Sequence, residues 1–209
     1  MMGQSAIGPG ARRGRPPGTS GRALELVALR LFAEKGFEET TVDEIAAGAG
    51  VSRRTFFRYF DTKASVLWSE FDSEVDNIRA LLSDAEDQLP VLQAVRAAVL
   101  AANHYRAEDV PELRARMNLI SSVPALAASA AVHYDAWEQA IAEFVGARLG
   151  QPADSLYPLL VGRATLASCR AAYEQWAARA DADLGYYLDA ALRALAAGFA
   201  DQALVASAD

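Results

Sequence analysis

The 209-residue chain has one cysteine and two histidines, and nowhere does it run for about 18 residues without a charge on apolar side chains alone. A single cysteine, Cys169, excludes an internal disulfide framework and a cysteine-rich zinc site, and its apolar helical setting reads as a buried thiol. His104 and His133 have no second ligand at helical spacing, so no metal site is expected. The missing apolar run excludes a membrane-spanning helix. The opening GPGARRGRPPG does not lead from charge into an apolar core, which makes a cytoplasmic location the expectation. Neither a G-x-G-x-x-G nor a G-x-x-x-x-G-K-[ST] stretch occurs, and no nucleophile with its base, paired carboxylates or metal cluster stands out. Catalysis and a bound cofactor are therefore not expected. Alternating apolar and polar runs bounded by turn chemistry are absent too, which argues against strands.

What the chain does hold is helical periodicity and an uneven charge. With 52% hydrophobic and 22% charged residues it can build a core, and its net charge is −7. Residues 1–63 carry ten Lys/Arg against seven Asp/Glu, or +3; the chain totals of 20 and 27 leave 10 against 20 for the rest, or −10. A basic end on an acidic body points that end at an anionic partner.

Residues 1–18, dense in Gly, Pro and Arg, read as a flexible basic arm that cannot bury a core. From Thr19 or Ser20, the spacing of Leu24, Val27, Ala28, Leu31 and Phe32 predicts a helix that stops at Lys35-Gly36. Thr41 and Glu44 form a capping box that opens a short helix to about Ala49, and Gly50 turns the chain. Ser52 caps a third helix over Arg53–Phe60, with Phe56, Tyr59 and Phe60 inward and the arginines outward. Further helices are expected over 63–86, 90–106, 110–122, 125–149, 155–179 and 184–204. The fold class is thus all-α: a three-helix helix-turn-helix domain over 19–65 and a helical ligand-binding and dimerisation domain over 66–209.

Two short helices joined at a glycine, the second opening on basic residues, is the arrangement that lays one helix in a DNA major groove. Arg53 and Arg54 are the candidates to bond the O6 and N7 edge of guanine. Thr55 suits a thymine methyl or a phosphate; Tyr59 and Lys63 suit positioning on the backbone, Lys63 near a helix N-terminus. Thr41, Ser52, Phe57 and Arg58 complete the expected DNA-facing set. In the arm, Arg13-Gly14-Arg15-Pro16 has the form of a minor-groove hook.

Residues 20–68 resemble the N-terminal domain of the TetR family of one-component repressors, on Phe37 through Ala46, Gly50-Val51-Ser52, Thr55 through Phe60, and Lys63. Phe57 departs from the tyrosine that members often carry, so no hydroxyl bonds a phosphate there. Arg12–Ser20, Arg53–Phe60, Val123–Leu126, Ala172–Trp176 and Asp181–Leu184 are similar to the subgroup encoded beside mycofactocin biosynthesis genes. The resemblance implies a two-fold dimer built on the last two helices, a near-palindromic double-stranded operator and release by a small-molecule inducer. Small residues (Ala171, Ala172, Ala190, Ala191, Ala194 and Gly198) beside Leu188, Leu192, Leu195 and Phe199 are consistent with such a helix-packing face.

For the sensor, the middle helices offer Tyr105, Met117, His133, Trp137, Arg163, Arg170, Tyr173 and Trp176 as candidate pocket residues, apolar walls with a few polar anchors. Arg163 and Arg170, seven apart on one helix face, need an anionic partner, either a protein carboxylate or a ligand head such as that of a fatty acyl-CoA. Two other classes compete. A DNA-architectural protein leaves about 140 residues of helical body without purpose, and a helical interaction module leaves Arg53 and Arg54 without one.

Overall fold

The computed structural model describes residues 21–105, 109–179 and 182–198. Arg13 and Arg15, like Phe199 and the end of the helix expected to reach 204, lie outside them. Among the described residues there are nine α-helices and no strand: α1 (Gly21–Lys35), α2 (Val42–Gly48), α3 (Arg53–Phe56), α4 (Ser69–Ser83), α5 (Val91–Ala102), α6 (Val110–Ser122), α7 (Pro124–Leu149), α8 (Leu156–Arg179) and α9 (Leu184–Ala196). None is long and apolar enough to cross a membrane.

The first three helices form because local chemistry starts and stops them. In α1, Leu24, Ala28, Leu31 and Phe32 are buried, and the helix ends into Gly36 at φ 88°. Thr41 and Glu44 make the reciprocal capping box of α2, and Lys35 at the end of α1 pairs with the same Glu44 carboxylate. Gly50, at φ 67°, supplies the left-handed residue of the turn. Ser52 Oγ accepts from Thr55 N at 3.2 Å to start α3.

Lys35, followed by the Thr41 amide and hydroxyl, pulls the exposed Glu44 carboxyl down to about 2 from its ordinary 4.5. A depressed carboxylate stabilises the fold fully above its unfolded value and ceases to do so as pH falls through the folded one. The α2 contribution is therefore complete above about pH 4.5 and lost toward pH 2. Glu44→Gln is expected to flatten that part of the acid titration, read as melting temperature by circular dichroism; an unchanged pH slope would remove Glu44 from the account.

Two elements differ from expectation. The α-helical geometry of α3 ends at Phe56, and tighter bonds from Arg58 N to Thr55 O and Tyr59 N to Phe56 O carry the chain to Phe60. This turns Tyr59 outward, 41% exposed, instead of into the core. Nor does a helix start near 63. Thr62 and Ser65 bond each other's backbone N–H, a 3₁₀ turn spans Ser65–Leu67, and α4 begins at Ser69. Val66, Leu67 and Trp68 are all buried, which three successive positions on one α-helical stripe cannot be.

Burial divides into two main cores. Leu24, Phe32, Ile45 and Phe56 pack with Val66, Leu67 and Leu126, so the helix-turn-helix core takes in the 3₁₀ turn and one residue of α7. The larger core gathers Ile78, Val99, Ile141, Trp176 and Leu188 from α4, α5, α7, α8 and α9. The α7–α8 pair approaches closely at Gly162, where a Cβ would stand 2.7 Å from Glu138 O. Leu188 and Leu192 of α9 are buried within their own subunit's core, which corrects their expected place on a dimer face. Arg148 of α7 donates to the carbonyls of Ala85, Glu86, Asp87 and Leu89, fixing the α4–α5 connection.

Candidate DNA interface and ligand cavity

The outward face of α3 and its following turn carries cations and aromatics together. Arg53 pairs with Asp43 of α2 at 2.8 Å, and its guanidinium carbon lies 5.3 Å from the Phe57 ring centroid. Arg54 is exposed and makes no ion pair among the described residues. Arg58 lies over the Tyr59 ring at 4.9 Å and donates to its hydroxyl at 3.2 Å. Arg54, Thr55, Phe57 and Arg58 border one shallow concavity on this face. Ser52 and Thr55 bond each other in capping α3, and the Thr41 hydroxyl accepts from Glu44 N at 3.2 Å.

Lys63, one of the expected backbone contacts, is bonded within the chain. Its ammonium donates to the carbonyls of Phe37, Glu38 and Thr40 at 2.6, 3.0 and 3.0 Å and sits 4.4 Å from the Phe37 ring centroid. Three N–H donors meet three carbonyls, so the residue ties the α1–α2 connection to the start of the 3₁₀ turn. Lys63→Ala is expected to lower the unfolding free energy by about 1 kcal/mol. Urea denaturation without DNA checks this, since a residue serving only as a phosphate contact leaves that value unmoved.

A cavity of about 60 Å³ lies between the 3₁₀ turn and α4 on one side and α6, α7 and α8 on the others. Trp68, Phe71, Tyr105, Met117, Trp137 and Tyr173 make most of its aromatic and apolar wall. Hydroxyls gather at one side: Tyr105 donates to Glu74 and Tyr173 to Asn103 Oδ1, the two phenol oxygens lying 3.5 Å apart. Burial drives the Tyr173 phenol well above its ordinary value and the Cys169 thiol, also in the wall, up to about 12. Past Arg170, which leans over the Tyr134 ring at 5.0 Å, the cavity adjoins a groove of about 370 Å³ that shares Met117, Ile120, Tyr134, Arg170 and Tyr173 with it.

The structure brings five of the eight expected pocket residues to this cavity: Tyr105, Met117, Trp137, Arg170 and Tyr173. It leaves out three. His133 stacks on the far side of Trp68, ring centroids 4.5 Å apart, and bonds Asp72 at 2.7 Å. Arg163 is exposed and pairs with Glu138 at 3.6 Å, because the cavity abuts α8 only along its middle, from Leu166 to Tyr173. Trp176 is buried behind Tyr173, edge-on at 6.3 Å, with Arg114 over its ring. Sequence reading missed Trp68, Phe71, Glu74 and Arg116; the three apolar residues at 66–68, directly after the helix-turn-helix, are the signal that could have drawn attention there.

Residues 26–67 match the family model for bacterial regulatory proteins of the tetR family, and residues 89–200 that for the MftR C-terminal domain. Over 188 residues the chain is 34% identical to the Mycobacterium tuberculosis transcriptional regulator named for mycofactocin biosynthesis, MftR, covering 90% of this chain and 95% of that one. It is 29% identical to the HTH-type transcriptional regulator TcmR of Streptomyces glaucescens, covering 85% and 81%. Among solved structures it is similar to the lauroyl-CoA complex of Thermus thermophilus FadR, a TetR family repressor, with TM-score 0.55, 26% identity, and 87% and 95% of the two chains covered.

Proposed function

Since the chain belongs to the TetR family of DNA-binding transcriptional regulators and carries an MftR C-terminal domain, we propose that it is a dimeric repressor freed from its operator by an acyl thioester amphiphile such as a fatty acyl-CoA. The observation that carries the ligand reading is the aromatic cavity under the 3₁₀ turn, bordered by the Arg170 cation where it meets the open groove. An acyl chain suits its walls and an anionic head suits Arg170. The Thermus FadR relative, solved with lauroyl-CoA, supports the same class. Genes of mycofactocin biosynthesis are the proposed targets, by analogy with the regulator from M. tuberculosis.

On DNA, Arg53 and Arg54 read bases in the major groove, while Thr41, Ser52, Thr55, Arg58 and Tyr59 meet the backbone and Phe57 packs on sugar or methyl. Arg13 and Arg15 of the arm enter the adjacent minor groove. The two-fold contact uses the outward stripe of α8, where Leu156 and Leu160 are 71% and 56% exposed, with Tyr186 of α9 at 52%.

The test is fluorescence anisotropy on the DNA upstream of the protein's own gene, against scrambled DNA, at two salt concentrations and with lauroyl-CoA titrated in. Specific, salt-sensitive binding that lauroyl-CoA reverses is expected. If saturating lauroyl-CoA leaves operator binding and thermal melting unchanged, the acyl-CoA reading is abandoned.

A further inference from the structure

One ionic cluster, buried at its centre, spans the two cores. Arg116 of α6 and Glu25 of α1 have side chains only 4% and 5% exposed, and Arg116 Nη2 lies 2.6 Å from Glu25 Oε1. The same guanidinium donates to Leu67 O, in the 3₁₀ turn, at 3.1 Å and meets Glu112 at 3.0 Å. Arg22 closes the cluster, bonding both Glu112 oxygens at 2.6 Å and Glu25 at 3.2 Å. Two arginines face two glutamates, so the formal charges cancel. Arg116 is at the same time part of the cavity wall, beside Leu113, Met117 and Ile120 of its own helix.

We infer that the Arg116–Glu25 pair is the latch that transmits filling of the cavity to the DNA-binding domain. This rests on the cavity being the inducer site. A cavity of about 60 Å³ must widen to admit an acyl chain, and α6 forms a continuous part of its wall. Moving α6 moves Arg116. A buried ion pair tolerates little stretching, because each charge stranded without its partner is strongly disfavoured, so Glu25 and the 3₁₀ turn must follow or the pair must break. Either way α1, on which α2 packs and with which α3 shares a core, changes its seat on α6. Glu25 is a positioning residue; it belongs to neither the α3 face nor the cavity wall.

The test compares the full-length wild type with Glu25→Gln, measuring operator affinity with and without saturating lauroyl-CoA, and lauroyl-CoA binding itself through fluorescence of the wall residues Trp68 and Trp137. Lauroyl-CoA is expected to weaken wild-type operator binding at least about tenfold and that of Glu25→Gln less than about threefold, with equal lauroyl-CoA affinity in the two. An undiminished ratio in Glu25→Gln overturns the latch. If that variant fails to fold, the paired swap Glu25→Leu with Arg116→Met, which strands neither member of the pair, takes its place with the same expected loss of coupling. If lauroyl-CoA does not bind the wild type, the acyl-CoA reading fails by itself, and the latch is judged with Cys169→Phe, which fills the cavity from α8. Filling should weaken operator binding about tenfold in an otherwise wild-type chain but not beside Glu25→Gln; equal weakening in both overturns the latch.

Discussion

Phe56→Ala is expected to destabilise the DNA-binding domain by about 3–5 kcal/mol, the range for truncating a fully buried phenylalanine, and to abolish operator binding. The ring is fully buried, edge-on to Phe57 at 5.4 Å and tilted against Phe60 at 5.6 Å, in a core whose other members come almost entirely from residues 24–67. Because Ile78, Val99, Ile141 and Trp176 belong to the second core, the helical body should outlast the loss. Thermal unfolding followed by circular dichroism should therefore split into an early and a late step. A single transition at the wild-type temperature would show that Phe56 does not anchor the domain.

Arg54→Ala is expected to weaken binding to the operator by about 1–3 kcal/mol, which is about five- to over a hundredfold, while changing affinity for scrambled DNA little. The distinction follows from how the two arginines are held. Arg53 is already engaged by Asp43 and the Phe57 ring, and must give up or share a 2.8 Å ion pair to reach a base. Arg54 has no such tie among the described residues. Arg53→Ala should accordingly cost less discrimination than Arg54→Ala. Anisotropy titrations on both DNAs at one fixed salt concentration decide the matter: equal losses on operator and scrambled DNA would make Arg54 a backbone contact.

Much of this arrangement is legible in the sequence because it is enforced locally. Thr41 with Glu44, Gly50 and Ser52 set the boundaries of α2 and α3 through bonds spanning a few residues, and Pro124 and Gly150 bracket α7 in the same way. What escaped are features that distant partners decide. Lys63 looks available for phosphate until the carbonyls of Phe37, Glu38 and Thr40 fold back on it. Arg163 and Arg170 share a helical face, but only the second lies where α6 and α7 leave space. Likewise, the buried pairing of Arg116 with Glu25 joins residues 91 apart, and no periodicity reports it. The five pocket residues that sequence reading did place are mostly large and aromatic, the kind that line a bundle interior wherever it opens.

At about 60 Å³ the cavity has room for roughly four to six waters, taking ~10–15 Å³ for each. On the proposed reading, an acyl inducer enters this cavity only in the fraction of molecules whose helices have already parted, and the concentration it needs is its intrinsic constant divided by that fraction. Because inducer and operator oppose each other on that reading, operator DNA shrinks the fraction further by linkage. The dose at which such a regulator responds is then set by how firmly Trp68, Met117, Trp137 and Leu166 close on one another, and trimming any of them shifts the threshold without altering a single contact to DNA.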